Sequence, residues 1–243
     1  MIKNVFTLPD SDPFLKACLN NNPWLLEYTA RQPETGRNPN ETDRGGWRGY
    51  DRVYSKFLSE FKNEPLKILE IGVHSGYGVL AWLCYFQNSK VYGAEIEFNK
   101  WISSYNSLMN EFSEFRRSNI FQMDSTLSSD WVRCIDTKFD VIIDDGSHLP
   151  NDQIATLSSG WKYLKSGGYY FIEDISSRYS KPSKKDVFDY LKKLEGVKLL
   201  KIYSHHNIGW SNILSNPSVW NKYGVTEDTP LEFEDYIAVI QKE

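Results

Sequence analysis

Cysteine is scarce: Cys18, Cys84 and Cys134 are the only three in 243 residues. They are far apart, odd in number, and form no CxxC pair or Cys/His cluster. That argues against a disulfide framework and a structural zinc site, and a reducing, cytoplasmic setting is expected. An excess of positive charge is also lacking. The formal net charge is −4 and the isoelectric point about 5.7. Such a balance offers no general attraction to nucleic acid or to an anionic membrane surface. No stretch approaches the roughly 20 apolar residues of a membrane span. The opening residues, MIKNVFTLPDSDPF, lack the apolar core of a signal peptide. Internal repeats and low-complexity tracts are absent as well. Aromatic residues, in contrast, are plentiful. Many Trp and Tyr fall outside the apolar runs, where they could line a pocket.

What is present divides at about residue 64. Residues 1–64 carry no strong strand signal. PFLKACLNNNPWLLEYTARQ reads as short helices broken at Pro23, and GRNPNETDRGGWRGY reads as a loop. YDRVYSKFLSEFKNE places Tyr50, Val53, Tyr54, Phe57, Leu58 and Phe61 at helical spacing. This segment is expected to be an N-terminal helical extension, with residues 65–243 as the main domain. From Leu66 onward, short apolar runs alternate with helical segments of about a dozen residues. The strands are LKILEIG, KVYGAEIE, NIFQMD, FDVIIDD, GYYFIED, VKLLKIYS and DYIAVIQKE. Continuous apolar cores with intervening helices predict an α/β fold, a doubly wound, mostly parallel seven-stranded sheet covered on both faces. Ligands of such sheets bind at the carboxyl ends of the strands.

Those ends carry the distinctive residues. The first strand runs into LEIGVHSGYG, in which Glu70, Gly72, Gly76 and Gly78 make an ExGxxxGxG pattern. Glycines permit a close backbone approach, and the next helix offers free N–H groups. The spacing is not the GxGxxG of dinucleotide folds. An acid ahead of the first glycine suits a ligand with an amine or hydroxyls better than a pyrophosphate. His74, within this loop, reads as a conformational or packing residue. The second strand ends at Glu95, placed to accept hydrogen bonds from ribose hydroxyls, with Glu97 a second candidate. The third ends at Asp124 and Ser125, which could meet an adenine amino group or simply form a turn.

The fourth and fifth strands end in acidic pairs, Asp144-Asp145 and Glu173-Asp174. Crowded carboxylates are unfavourable unless protonated or neutralised. A divalent cation would neutralise them, and an oxygen-rich set without cysteine favours Mg²⁺, Mn²⁺ or Ca²⁺ over structural zinc. The competing reading, helix caps and solvated loop acids, accounts well for one acid but poorly for four. His148 follows Asp145 by three residues. Its imidazole can take a proton at neutral pH, which suits a general base beside a metal-bound hydroxyl; it could also be a metal ligand. His205 and His206, after the sixth strand, read as solvated loop residues.

Residues 66–178 resemble the class I S-adenosylmethionine-dependent methyltransferases, through ExGxxxG, the acid after the second strand and the Asp after the third. IDDGSH together with GYYFIED is more specifically similar to the metal-dependent sugar O-methyltransferases of macrolide biosynthesis, the macrocin and mycinamicin type. TDRGGWRGYDRVY looks like an element of that family preceding the first strand, with Arg44 where lysine is usual. The resemblance implies S-adenosylmethionine held by Glu70, Gly72, Gly76, Glu95 and Asp124, with Ser125 and Asp144 as further cofactor-side candidates. It implies Mg²⁺ on Asp145, Glu173 and Asp174, with His148 as base. Asp145 and His148 would thus carry the catalysis. Catechol O-methyltransferase is a looser parallel. The loop after the fifth strand, EDISSRYS, departs from the family's longer aromatic segment, and this bears on the acceptor. The expected acceptor is a sugar or nucleotide-linked sugar, with a phosphate-linked or catechol-like molecule as the alternative. A nicotinamide-dependent oxidoreductase and a non-catalytic cofactor-binding protein are the rival readings, since fold alone does not fix function. The N-terminal extension is a candidate for self-association into a homo-oligomer.

Overall fold

The computed structural model describes residues 50–176, 184–204 and 235–243. The helices expected between residues 13 and 32, the TDRG segment, Arg44, and His205-His206 lie outside the described residues. Helix α1 (Tyr50–Leu58) precedes a seven-stranded sheet. Strands β1 (Lys67–Ile71), β2 (Lys90–Glu95), β3 (Ser118–Gln122), β4 (Phe139–Asp144) and β5 (Leu164–Ser176) run parallel. Four helices link them: α2 (Tyr77–Tyr85), α3 (Phe98–Glu111), α4 (Ser128–Cys134) and α5 (Pro150–Gly160). Helix α6 (Lys184–Leu191), β6 (Val197–Ser204) and β7 (Asp235–Lys242) follow, and β7 pairs antiparallel with both β5 and β6. The order is β3-β2-β1-β4-β5-β7-β6, so the chain reverses direction across the sheet between β1 and β4.

Strict period-2 burial builds the two layers. Ile68, Val91, Val141, Ile143, Phe171, Ile237 and Val239 face the layer that contains α1, α2 and α3. Leu69, Ala94, Ile142, Tyr170, Ile172, Ala238 and Ile240 face α4, α5 and α6. Both faces are covered, which is why these strands are apolar without alternation in sequence. Helix α1 belongs to the first layer: Tyr50, Val53, Tyr54 and Leu58 are almost fully buried in it. The Tyr54 ring meets Trp82 edge-on at 4.7 Å and Phe171 at 4.8 Å. Helix α2 is apolar all round, as expected for a helix enclosed by its neighbours. Arg117 closes its carboxyl end, donating to the Leu83 oxygen in the last turn at 2.6 Å and, just beyond the helix, to the oxygens of Phe86 at 3.1 Å and Ser89 at 2.7 Å.

Candidate functional site

The carboxyl ends of β1, β2, β4 and β5 meet at one edge of the sheet. Backbone hydrogen bonds continue past the strands there: the Gly72 N–H donates to the Ala94 oxygen, and the Asp145 N–H to the Ile71 oxygen. Gly72 has φ +83, and a Cβ at this position would overlap the carbonyl of Asp145. The close approach that requires glycine here is between the chain's own β1 and β4 turns. Gly76, at φ +95, is the N-cap of α2 and has no side chain to cap it. The loop between them is held from α3, where the Tyr105 hydroxyl donates to the His74 oxygen at 2.7 Å and Ser104 to the Ser75 oxygen at 2.7 Å. The His74 ring packs on Trp101 at 3.9 Å, in keeping with a packing role.

Glu95 is nearly buried, and both its oxygens are fixed by backbone: Oε2 accepts from the His74 N–H and Oε1 from the Glu97 N–H, each at 2.8 Å. Its carboxylate is thus oriented before any ligand arrives. Glu70 lies buried close by. Burial, then the charges of Glu95 and Glu70, push the Tyr105 hydroxyl well above its ordinary value. At the end of β3, Asp124 Oδ1 closes an Asx-type turn on Thr126, accepting from its N–H at 3.0 Å and its hydroxyl at 2.6 Å. Ser125 shares a hydrogen bond with Thr156 at 3.0 Å, and its carbonyl accepts from the Trp131 indole at 2.7 Å. These contacts tie the loop to α4 and α5. Three exposed apolar side chains, Ile96, Leu127 and Leu149, follow the ends of β2, β3 and β4. They had no distinguishing signal in the sequence.

At the β4 and β5 tips the structure brings Asp145, His148 and Asp174 together, with one ligand atom from each inside a 4.8 Å span. His148 Nε2 lies 3.9 Å from Asp145 Oδ1 and 3.8 Å from Asp174 Oδ2. Two carboxylates and an imidazole at this separation fit a hard, oxygen-preferring divalent ion with open positions for other ligands. Among the described residues, non-glycine backbones with positive φ occur at His74, His148 and Asp174. Such conformations cost about 1–3 kcal/mol each and gather where a site demands them. Glu173 lies outside that cluster: its Oε1 accepts from the buried Tyr54 hydroxyl on the α1 face. Its backbone carbonyl accepts from Gln153 Nε2 at 2.9 Å.

Asp144 points the other way, beneath α5. Burial pushes its carboxyl up to about 7; the Gly146 N–H, donating to Oδ1 at 3.2 Å, opposes the rise, while Glu173 and Asp152 add to it. Its charge in turn raises the buried Tyr170 hydroxyl, after the larger effect of burial. Among the described residues, Asp144 Oδ2, Gln153 Oε1 and the Tyr170 hydroxyl have no hydrogen-bond partner. The two adjacent aspartates therefore occupy different environments, Asp145 beside His148 and Asp174 and Asp144 in the core.

Residues 69–175 match a family described as a methyltransferase domain. The L-olivosyl-oleandolide 3-O-methyltransferase of Streptomyces antibioticus is 31% identical over 57% of this chain and 36% of its own length. The demethylmacrocin O-methyltransferase of Streptomyces fradiae is 26% identical over 71% of this chain and 43% of its own length. The chain thus spans well under half the length of these relatives. Among solved structures, the MycE methyltransferase from the mycinamycin biosynthetic pathway, in complex with Mg and SAH, superposes with a TM-score of 0.54. The two are 18% identical, across 90% of this chain and 54% of that one. An O-methyltransferase from Bacillus cereus in complex with SAH gives 0.56 at 12% identity, covering 98% of this chain and 94% of that one. These structures share the fold. Strand order, Glu70 and Glu95 at the tips of β1 and β2, and the sequence match lead to one assignment: residues 69–175 belong to a methyltransferase domain of the class I S-adenosylmethionine-dependent type.

Proposed function

We propose that the protein is a divalent-metal-assisted O-methyltransferase that moves the methyl group of S-adenosylmethionine to a hydroxyl of a sugar or sugar conjugate. The observation that carries this reading is the Asp145, His148 and Asp174 cluster at the same sheet edge as the pre-oriented Glu95. Glu95 suits a ribose diol, Asp124 an adenine amino group, and the exposed Ile96 an apolar face for the base. Glu70 and the glycine-headed start of α2 suit the amino acid end of the donor. Asp145 and Asp174 would hold Mg²⁺ or Mn²⁺, with His148 as a third ligand or as base. Glu173, expected among the metal ligands, instead has Oε1 engaged by the Tyr54 hydroxyl.

The sulfonium methyl is already activated, so the chain's task is alignment and proton removal. A divalent ion held by Asp145 and Asp174 would supply the acidity that a sugar hydroxyl lacks. His148 accepts the hydroxyl proton as the oxygen attacks the methyl carbon in line and the C–S bond breaks. The sugar acceptor is favoured by the relatives' substrates, and a catechol, which also presents vicinal oxygens, is the natural control. The test is transfer of isotopically labelled methyl to a panel of deoxysugar glycosides, nucleotide sugars and catechols, with and without EDTA. Metal-dependent labelling of a sugar hydroxyl is expected. Full transfer in EDTA would remove the metal from the account, and labelling of catechols alone would remove the sugar.

A further inference from the structure

We infer that helix α1 is a working part of the metal site and that Tyr50 is a positioning residue for Asp174; this rests on the metal reading above. The argument starts from a break in β5. Against β7, Ile172 pairs with Ala238 and Ile175 with Tyr236, so Glu173-Asp174 contains one residue more than the partner strand. Bulges of this kind re-aim side chains beside functional sites. Asp174 takes φ +51 within it. Without the bulge, strand alternation would send the two acids to opposite sheet faces. With it, both reach tyrosines of α1 spaced one turn apart. Tyr54 donates to Glu173, and Tyr50 donates to Asp174 Oδ1 at 2.6 Å.

The consequence is geometric. One oxygen of Asp174 is committed to the Tyr50 hydroxyl, while Oδ2 is the oxygen turned toward His148, 3.8 Å away. Asp174 is thereby prepared to offer a cation one oxygen in a fixed direction. The bond has the length of a charge-assisted O–H···O⁻ contact. Tyr50 is itself buried, and Tyr54 is wedged between Trp82 and Phe171, so the helix that presents the hydroxyls is anchored in the core. Partners that orient a ligating carboxylate typically set metal affinity by about 10–100-fold.

The test is Mn²⁺ binding, followed by electron paramagnetic resonance with S-adenosylhomocysteine present, alongside calorimetry of the cofactor product alone. Tyr50→Phe removes only the hydroxyl. It is expected to weaken Mn²⁺ by about 10–100-fold while leaving cofactor affinity unchanged. Tyr54→Phe, whose partner lies outside the cluster, is expected to change Mn²⁺ affinity less. Wild-type Mn²⁺ affinity in Tyr50→Phe, with Asp145→Asn abolishing binding, would overturn the positioning role and leave the metal reading intact. Wild-type affinity in Asp145→Asn would overturn both. Should Tyr50→Phe fail to fold, the ¹³Cζ resonance of Tyr50 in the labelled wild type gives the same answer. It should move on Mg²⁺ addition, and an unmoved resonance would overturn the inference.

Discussion

The two ends of β4 treat their acids in opposite ways. At the amino end, Asp140 is held at both oxygens by the Lys165 ammonium at 2.8 Å, and it also accepts from the Lys67 N–H at 2.8 Å. At the carboxyl end, Asp144 and Asp145 sit side by side, and Asp174 joins Asp145 across the next strand tip. Asp145 and Asp174 lie beside an imidazole and a tyrosine hydroxyl, while Asp144 turns away into the core. One end of the strand balances charge with charge. The other brings carboxylates from two strand tips together with an imidazole, an arrangement suited to an added cation. The difference separates an acid that secures the fold from acids gathered at the sheet edge where ligands of such folds bind.

Substitutions at the two ends should therefore differ in kind. The largest effect is expected for His148→Ala, with turnover lower by about 10²–10⁴-fold, the usual worth of a general acid or base, and with cofactor affinity retained. Steady-state methyl transfer and calorimetry check the two halves of that statement, and unchanged turnover would sink the base assignment.

Asp144 gives a pH signature. Its folded carboxyl, at about 7, lies above the ordinary 3.8, so the fold prefers the protonated acid. Its contribution is complete below about pH 4 and is lost as pH rises through about 7. In EDTA, the wild type should thus lose stability between about pH 5 and pH 8 relative to Asp144→Asn, by an amount on the order of 2–4 kcal/mol. Denaturant melts at both pH values measure it; parallel curves for the two proteins would contradict the burial argument.

The smallest effect belongs to Asp140→Asn. Asp140 and Lys165 are both partly exposed, so the loss should be about 0–1 kcal/mol, with Mn²⁺ affinity unchanged. A changed affinity would erase the contrast between the two ends.

Much of this architecture was legible in the sequence. β6 and β7 begin where VKLLKIYS and DYIAVIQKE begin, because an apolar run bounded by turn residues has few alternatives. The placement of Glu95 and Asp145 at strand tips was also legible, from the abrupt end of each apolar run. The direction of Glu173 was not. Adjacent acids on one strand tip look equivalent in sequence, and a bulge with a left-handed aspartate leaves no mark in composition. Tyr50 and Tyr54 were legible only as an apolar helical stripe, because the same i, i+4 spacing serves a core face and a pair of hydroxyl donors. Gly72 was read as making room for a ligand, while in the fold it makes room for the Asp145 backbone.

The central claim is that the acids at the carboxyl edge form a cation site beside the methyl donor. The most direct measurement is a crystal structure with Mn²⁺ and S-adenosylhomocysteine, read through the manganese anomalous signal. An anomalous peak bridging the carboxylates of Asp145 and Asp174, within reach of His148, is the predicted result. A peak elsewhere, or well-ordered cofactor product with no manganese at those carboxylates, would contradict it.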